Sequence, residues 1–344
     1  SFFKSLNGRA LRDYFSRNKF IFRIVDFGSN QVFQSNNTYT CLCFLEKKKQ
    51  SYLEFTSATP NSISNIKYAQ LSYDDLDDFK GWNLKVPKVV NQIESIGVPF
   101  SSVYKTSSGV ATLKNDVYIF DSTCEDDVYF YIDEHTPIEK NVCRKIINSN
   151  RLTKVSNLDE IKREIIFPYE YEGNFARILS EDTLKNLYPK AYAYLSSKRG
   201  LLATRDKGNG NYETWYAYGR NQSLVKYKYK LFFPHIASSS PNFIISKDES
   251  LLFYNGLCLL DNDLLKIKVA QKIMGSRLFW YYIENTSKTY GSGFMSLSKN
   301  YIKSFGILAL SDSENNWLVS ETDKSKIDSF LAEKYQISDF LTLK

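Results

Sequence analysis

The sequence predicts an α+β chain: a small α/β element at the N-terminus, followed by a long β-rich region with a few helices. Two observations carry this. A helical pattern followed by two strand-like runs fills the first fifty residues. From about residue 91 to 310, short β-branched and aromatic runs alternate with Gly, Asn and Ser turns, as in "GVATLKNDVYIFDS", "DDVYFYID", "NFIISKD" and "LLFYNGLCLL".

The elements follow in order. In "LNGRALRDYFSR" (6–17), Leu6, Ala10, Leu11, Tyr14 and Phe15 fall at helical spacing. "FIFRIVDFG" (20–28) reads as a strand stopped by Gly28, and "TYTCLCFLEK" (38–47) as a second strand ending in Lys47, Lys48 and Lys49. Residues 56–90 read as a linker, because "TSATPNSISN" is turn-rich and "YDDLDDF" (73–79) is acidic. Helices are expected over 181–197, over 262–284 with Asn262 and Asp263 as N-caps, and over 324–335 with Ile327, Phe330 and Leu331 on one side. The expected divisions are therefore 1–55, a linker 56–90, a domain 91–310 and a helical segment 311–344. There is no internal repeat.

With 344 residues and 43% hydrophobic composition, the chain can bury a large core, and more than one domain is expected. No run of about 18 apolar residues predicts a membrane span, and no charged-then-apolar leader opens the chain. The five cysteines show no CxxC spacing, and Cys41 and Cys43 alternate onto one face of a strand. They read as reduced core thiols, so the expected location is the cytoplasm. Two histidines, His135 and His235, are too few for a histidine-built metal site, and no metal is expected.

Charge is concentrated. The net charge is +7, and between Lys190 and Lys230 nine cationic residues face two acids, Asp206 and Glu213. That is the footprint of a phosphate-backbone binder, or else a solvated lysine-rich face. Inside the window, "NYETWYAYGRNQSL" (211–224) sets Trp215 and three tyrosines beside Arg220, Asn221 and Gln222. It reads either as a surface that grips bases or as a buried strand running into a turn. In "VKYKYKLFF", Lys226, Lys228 and Lys230 share one face by period two. Three ammonium groups about 6–7 Å apart suit successive phosphates, or make a charged edge that resists aggregation.

Catalytic motifs are absent. No GxxxxGK[ST], GxSxG or HExxH occurs, and "KGNGN" (207–211) reads as a hairpin turn. No catalytic residue is assigned, and a binding module is favoured over an independent enzyme.

Several segments together resemble one family. "SFFKSLNGRALRDYF" with "FIFRIVDFGSNQVFQSNNTYTCLCFLEKK" looks like the last helix and strands of the TaqI-like adenine-N6 DNA methyltransferases, including those fused in type IIG restriction–modification enzymes. "IESIGVPFSSVYKTSSGVATLKNDVYIF" is similar to the start of that family's target recognition domain. "YPKAYAYLSSKRGLLATRDKGNGNYETWYAYGRNQSL" resembles its middle, "KIMGSRLFWYYIENTSKTYGSGFMSLSKNYIKSFGI" its late segment, and "KIDSFLAEKYQIS" its closing helix. The resemblance covers nearly the whole chain through individually soft motifs in a shared order.

It implies that 1–55 is the C-terminal remnant of a methyltransferase sheet and that 91–310 is a target recognition domain. The family's S-adenosylmethionine loop and [NDS]-Pro-Pro-Tyr motif have no counterpart here, and none of the eight prolines is adjacent to another. Together with Ser1 in place of methionine, this leads to the expectation of an excised piece, a proteolytic product or one half of a split gene. S-adenosylmethionine is then expected only for the complete enzyme, with no cofactor held by this chain. Phe33, in "NQVFQSNN", matches the aromatic that packs on the flipped adenine; a core residue capping a strand is the alternative. Arg220, Asn221 and Gln222 have the chemistry of base readers, and equally that of a turn. Lys105, Lys114, Arg205, Lys226, Lys228, Lys230 and Lys288 are the expected DNA-backbone contacts. The expected partners are double-stranded DNA and a methyltransferase half in cis or in trans, with no membrane. The alternative is an interaction subunit of a split methyltransferase that recruits a catalytic partner.

Overall fold

The computed structural model describes residues 2–33, 38–63, 66–220 and 224–342. It is mixed α+β, as expected, and divides into two compact units. One comprises 1–103, 236–240 and 273–344, and the other 104–235 and 241–272.

In the first unit a four-stranded sheet runs in the order Cys41–Leu45, Ile21–Asp26, Leu53–Ser57, Ala69–Leu71. Ile21–Asp26 pairs antiparallel with Cys41–Leu45 and parallel with Leu53–Ser57. Both N-terminal strands and the helix Arg9–Asn18 form where the periodicity places them. Cys41 and Cys43 do share a face, with Sγ atoms 3.8 Å apart.

The expected linker needs correction. Residues 56–90 supply the strand Ala69–Leu71 and the buried side chains Tyr73, Trp82 and Leu84, which pack on Ile21, Ile24, Leu53 and Phe55. Within the acidic run, the Asp78 carboxylate accepts from Trp82 Nε1 at 2.7 Å and from the Ser16 hydroxyl at 2.6 Å. Nearby, the buried Arg12 donates to the carbonyls of Phe2, Ser5 and Asp78 at 2.6–3.0 Å. A second part of this unit packs the helices Pro87–Ser95, Arg277–Thr286 and Lys324–Tyr335 around Phe279, Tyr282, Phe305 and Tyr335. Lys324–Tyr335 spans the helix expected over 324–335.

The second unit holds two four-stranded sheets. One runs Ile244–Ser246, Tyr229–Phe233, Leu257–Asp261, Lys105–Ser108, antiparallel throughout. The other runs Leu252–Tyr254, Cys143–Asn148, Lys162–Ile166, Ile119–Phe120. The core includes Ile146, Ile165, Phe167, Tyr169, Tyr216 and Tyr218. The region 91–310 is thus split, with 91–103, 236–240 and 273–310 in the first unit.

Two expected helices break where single residues dictate. The stretch 181–197 is two helices, Glu181–Leu187 and Pro189–Ser197. Pro189 has no N–H to continue the first, and starts the second at its first position. The Glu139 carboxylate then accepts from the Lys190 and Ala191 amides at 2.8 and 2.9 Å. The stretch 262–284 breaks at Gly275 and Ser276, giving Leu264–Met274 and Arg277–Thr286. There Ser276 caps the next helix by accepting from the Phe279 amide at 3.2 Å. No helix among the described residues is long and apolar enough to cross a membrane.

Candidate nucleic-acid interface

Two of the tyrosines in 211–224, Tyr216 and Tyr218, face inward. Tyr216 and Tyr218 are buried, and their hydroxyls donate to the carbonyls of Leu179 and Ile166 at 2.6 and 2.5 Å. The Tyr118 hydroxyl donates to the Tyr216 carbonyl at 3.0 Å, and the Tyr218 amide donates to the Tyr169 hydroxyl at 2.7 Å. Burial pushes the phenols of Tyr118, Tyr169 and Tyr218 well above their ordinary range. Trp215 is half-buried, with Nε1 donating to Glu181 at 3.0 Å. This stretch is a hydrogen-bonded core strip rather than a row of exposed rings.

Two expected backbone contacts are corrected by burial. Arg205 is 3% exposed and donates to the carbonyls of Leu202, Trp215 and Ala217, so it serves the fold. Lys230 is 5% exposed, and its Nζ donates to the carbonyls of Asp248, Glu249 and Leu251. Burial lowers its pKa to about 8. The strand begins only at Tyr229, so Lys226 and Lys228 lie before it, and the expected row of three does not form. Lys230 shares a register row with Leu260 and Lys105 and is covered by the 248–251 turn. Period two gave the alternation without saying which face that turn would close.

The other lysines of this unit stay accessible. Lys228 and Lys105 are exposed, and Lys226 and Lys114 are half-buried. Lys105 donates to the Tyr227 hydroxyl, with its Nζ 4.9 Å from the ring centroid. The Nζ of Lys226 lies 4.2 Å over the Tyr171 ring, which stacks on Phe167 at 5.4 Å. The Lys226 amide donates to the Asn174 carbonyl at 2.9 Å, and the Lys228 amide to the Asn262 side chain at 3.1 Å. Lys105 thus sits on Tyr227 and Lys226 on Tyr171, and Lys228 follows two residues later in the same segment. Neither tyrosine was among the contacts expected from the sequence.

Arg220 is exposed and pairs with Asp206 at 3.0 Å. Arg220 and the Tyr212 hydroxyl, both bonded to the Asp206 carboxylate, hold it below the ordinary range. Asn221 and Gln222 lie outside the described residues. Phe33 and Lys288 belong to the first unit. Phe33 is 53% exposed beyond the strand Ile21–Asp26, and Lys288 is exposed with its Nζ 4.9 Å from the Tyr290 ring centroid. Among the described residues no group of three or more His, Cys, Asp or Glu side chains is placed to hold a metal.

The second unit thus carries two lysines set on tyrosines, Lys105 at Tyr227 and Lys226 over Tyr171. The chain is 28% identical over 250 residues to the type II restriction enzyme and methyltransferase RM.Eco57I of Escherichia coli, covering 65% of this chain and 24% of that protein. In structure it is similar to the type IIL restriction–modification enzyme MmeI, solved in complex with DNA. The TM-score is 0.58 at 9% identity, covering 96% of this chain and 41% of the other. Against the type IIG restriction endonuclease BpuSI the TM-score is 0.46 at 11% identity, over 99% of this chain and 44% of that one. No family model matches. The resemblance to restriction–modification enzymes is borne out by the RM.Eco57I alignment, and the fold is shared with part of MmeI. The chain spans about a quarter of RM.Eco57I and about two fifths of MmeI.

Proposed function

We propose that this chain recognises a short duplex DNA site for an adenine-N6 DNA methyltransferase of a restriction–modification system in the cytoplasm. The observation that carries the reading is the alignment with RM.Eco57I; the solution of MmeI with DNA supports it. Lys105, Lys226, Lys228 and Lys114 neutralise backbone phosphates, Lys288 contributes from the first unit, and Arg220, Asn221 and Gln222 meet base edges. The second unit is the specificity-bearing part. The complete enzyme uses S-adenosylmethionine, bound by a methyltransferase half in cis or in trans. The exposed ring of Phe33 packs on the extruded adenine and offsets part of the cost of unstacking it.

Fluorescence anisotropy with a labelled 30-base-pair duplex tests the reading. Binding should weaken linearly in log K against log salt, by about 0.9 for each phosphate neutralised. Undetectable binding at ~50 mM salt, or binding indifferent to salt, would sink it.

A second reading is favoured by a specific observation. Of the 18 exposed large hydrophobics among the described residues, eight lie within the first 52 residues, and three of them, Leu42, Phe44 and Leu45, sit on one outer strand. An apolar outer strand of this kind is a pairing surface. On this reading the chain is chiefly the subunit that recruits a Pro-Pro-Tyr-bearing methyltransferase half. Co-expression with such a half should give one co-purifying complex, which a Leu42→Lys/Phe44→Lys variant loses. A complex that survives both lysines removes this reading.

A further inference from the structure

We propose that Arg220 reads a guanine in the major groove, and that Asp206 and Tyr212 are positioning residues that aim its guanidinium. This rests on the DNA reading above and adds the base that is read and the device that reads it.

The backbone of Arg220 is fixed first. Its amide donates to the Ala111 carbonyl at 3.0 Å, and the Gly219 amide to the Thr112 carbonyl at 3.3 Å. Gly219 is required for this approach, because a Cβ there would stand 2.3 Å from Leu113 Cγ. The guanidinium is fixed next. Nη1 donates to Asp206 Oδ2 at 3.0 Å and to the Gly219 carbonyl at 2.7 Å, and Nη2 donates to Asp206 Oδ1 at 3.3 Å. The Tyr212 hydroxyl donates to Asp206 Oδ2 at 2.8 Å. Beneath, the buried Arg205 guanidinium lies 4.2 Å from the Tyr212 ring centroid, so the clasp stands on the core.

An exposed Arg–Asp pair is ordinarily worth at most about 1 kcal/mol and calls for no function. Here the backbone that carries the aspartate is strained. Asp206, Lys207 and Gly208 adopt φ of 48°, 59° and 82°, three consecutive left-handed residues of which only one is glycine. Such conformations cost about 1–3 kcal/mol each for non-glycine residues and persist where surrounding structure enforces them, often at functional sites. A surface pair alone does not repay that strain.

The chemistry then selects the base. Among the described residues, contacts to Asp206 and Gly219 take both Nη1 donors and one Nη2 donor. The side-on edge, Nε–H with the other Nη2–H, is the planar two-donor fork that matches the O6 and N7 acceptors of guanine. Adenine presents a donor beside N7, so the same fork rejects it. Holding the fork in place before binding removes the ordering cost of a long side chain.

Selection of bound molecules from a randomised duplex pool, followed by sequencing, tests this with the full chain. The wild-type selected site should contain a guanine whose preference Arg220→Ala lowers by about tenfold to a hundredfold at that one position, leaving the other positions intact. Arg220→Lys should lose the same preference while keeping the charge. Asp206→Asn, which suits the left-handed backbone, should weaken the preference at that position with an unchanged salt slope and melting temperature. If Arg220→Ala instead weakens all sequences alike and flattens the salt slope by about one, Arg220 is a phosphate contact and the proposal is overturned. If wild type selects a site and Arg220→Ala keeps every preference, the proposal is overturned while the DNA reading stands. If wild type binds no duplex, both fall.

Discussion

Replacing Lys105, Lys226 and Lys228 together by alanine is expected to lower duplex affinity by roughly two to three orders of magnitude at ~0.1 M salt, and to flatten the salt slope by about three. Lys105 and Lys228 are exposed and Lys226 is half-exposed, and two of the three are poised on tyrosines, Lys105 at Tyr227 and Lys226 over Tyr171. Each phosphate neutralised releases a condensed counterion, so each lysine lost removes about 0.9 from the slope. The lost cation–π contacts cost only about 0.5–1 kcal/mol each at such accessible sites, so folding should survive. Lys230→Met is the internal control, because its ammonium group faces three carbonyls and should leave the slope unchanged. A triple variant with the wild-type slope would show that phosphates lie elsewhere.

Arg205→Ala is expected to destabilise the protein by about 3–5 kcal/mol, read from the midpoint of urea unfolding at constant slope. The side chain satisfies three carbonyls, two of them in the 211–224 strip. Removing a buried charged donor leaves each acceptor to bear about 1–3 kcal/mol of desolvation, partly relieved by water entering the gap. Against a total stability of about 5–15 kcal/mol this is a large fraction. Arg205→Lys should recover little, since one ammonium group cannot reproduce the fork that spans Leu202, Trp215 and Ala217. Arg220→Ala, at an exposed pair, should cost no more than about 1 kcal/mol. An Arg205→Ala midpoint within error of wild type would contradict the role assigned to it here.

Much of the fold was legible where a residue's own period decides its fate. Ile21–Asp26, Cys41–Leu45 and Lys324–Tyr335 lie within the stretches where alternation or helical spacing put them. Legibility failed where a distant partner decides. Trp82 is wholly buried in a stretch that read as linker, because the side chains it packs among, Ile21, Ile24 and Leu53, belong to strands far upstream. Arg205 and Lys230 look like surface cations in any window around them. Only the fold supplies the carbonyls that hold them, Ala217 twelve residues away for one and Leu251 twenty-one for the other. The aromatic strip was half legible. Its composition marked 211–224 as distinct, and residue type alone could not separate a ring facing bases from Tyr218 at 2% exposure. Residue type marked Arg220 as a candidate; its pairing with Asp206 was not legible, since that depends on a left-handed residue fourteen positions upstream.

The way the two units share the chain bears on how the protein is born. The second unit is complete once residue 272 has been made, whereas the first takes its later helices from residues 273–344. On a ribosome adding about 5–20 residues per second, the second unit can close seconds before the first has all its parts. During that interval the N-terminal sheet waits without Arg277–Thr286 and Lys324–Tyr335, elements of its own unit. The early-made half is the late-finished one, and it is the half that holds Leu42, Phe44 and Leu45 out to solvent. The stretch 1–103, made before the second unit and packed after it, is therefore the part with most time to misassemble during synthesis.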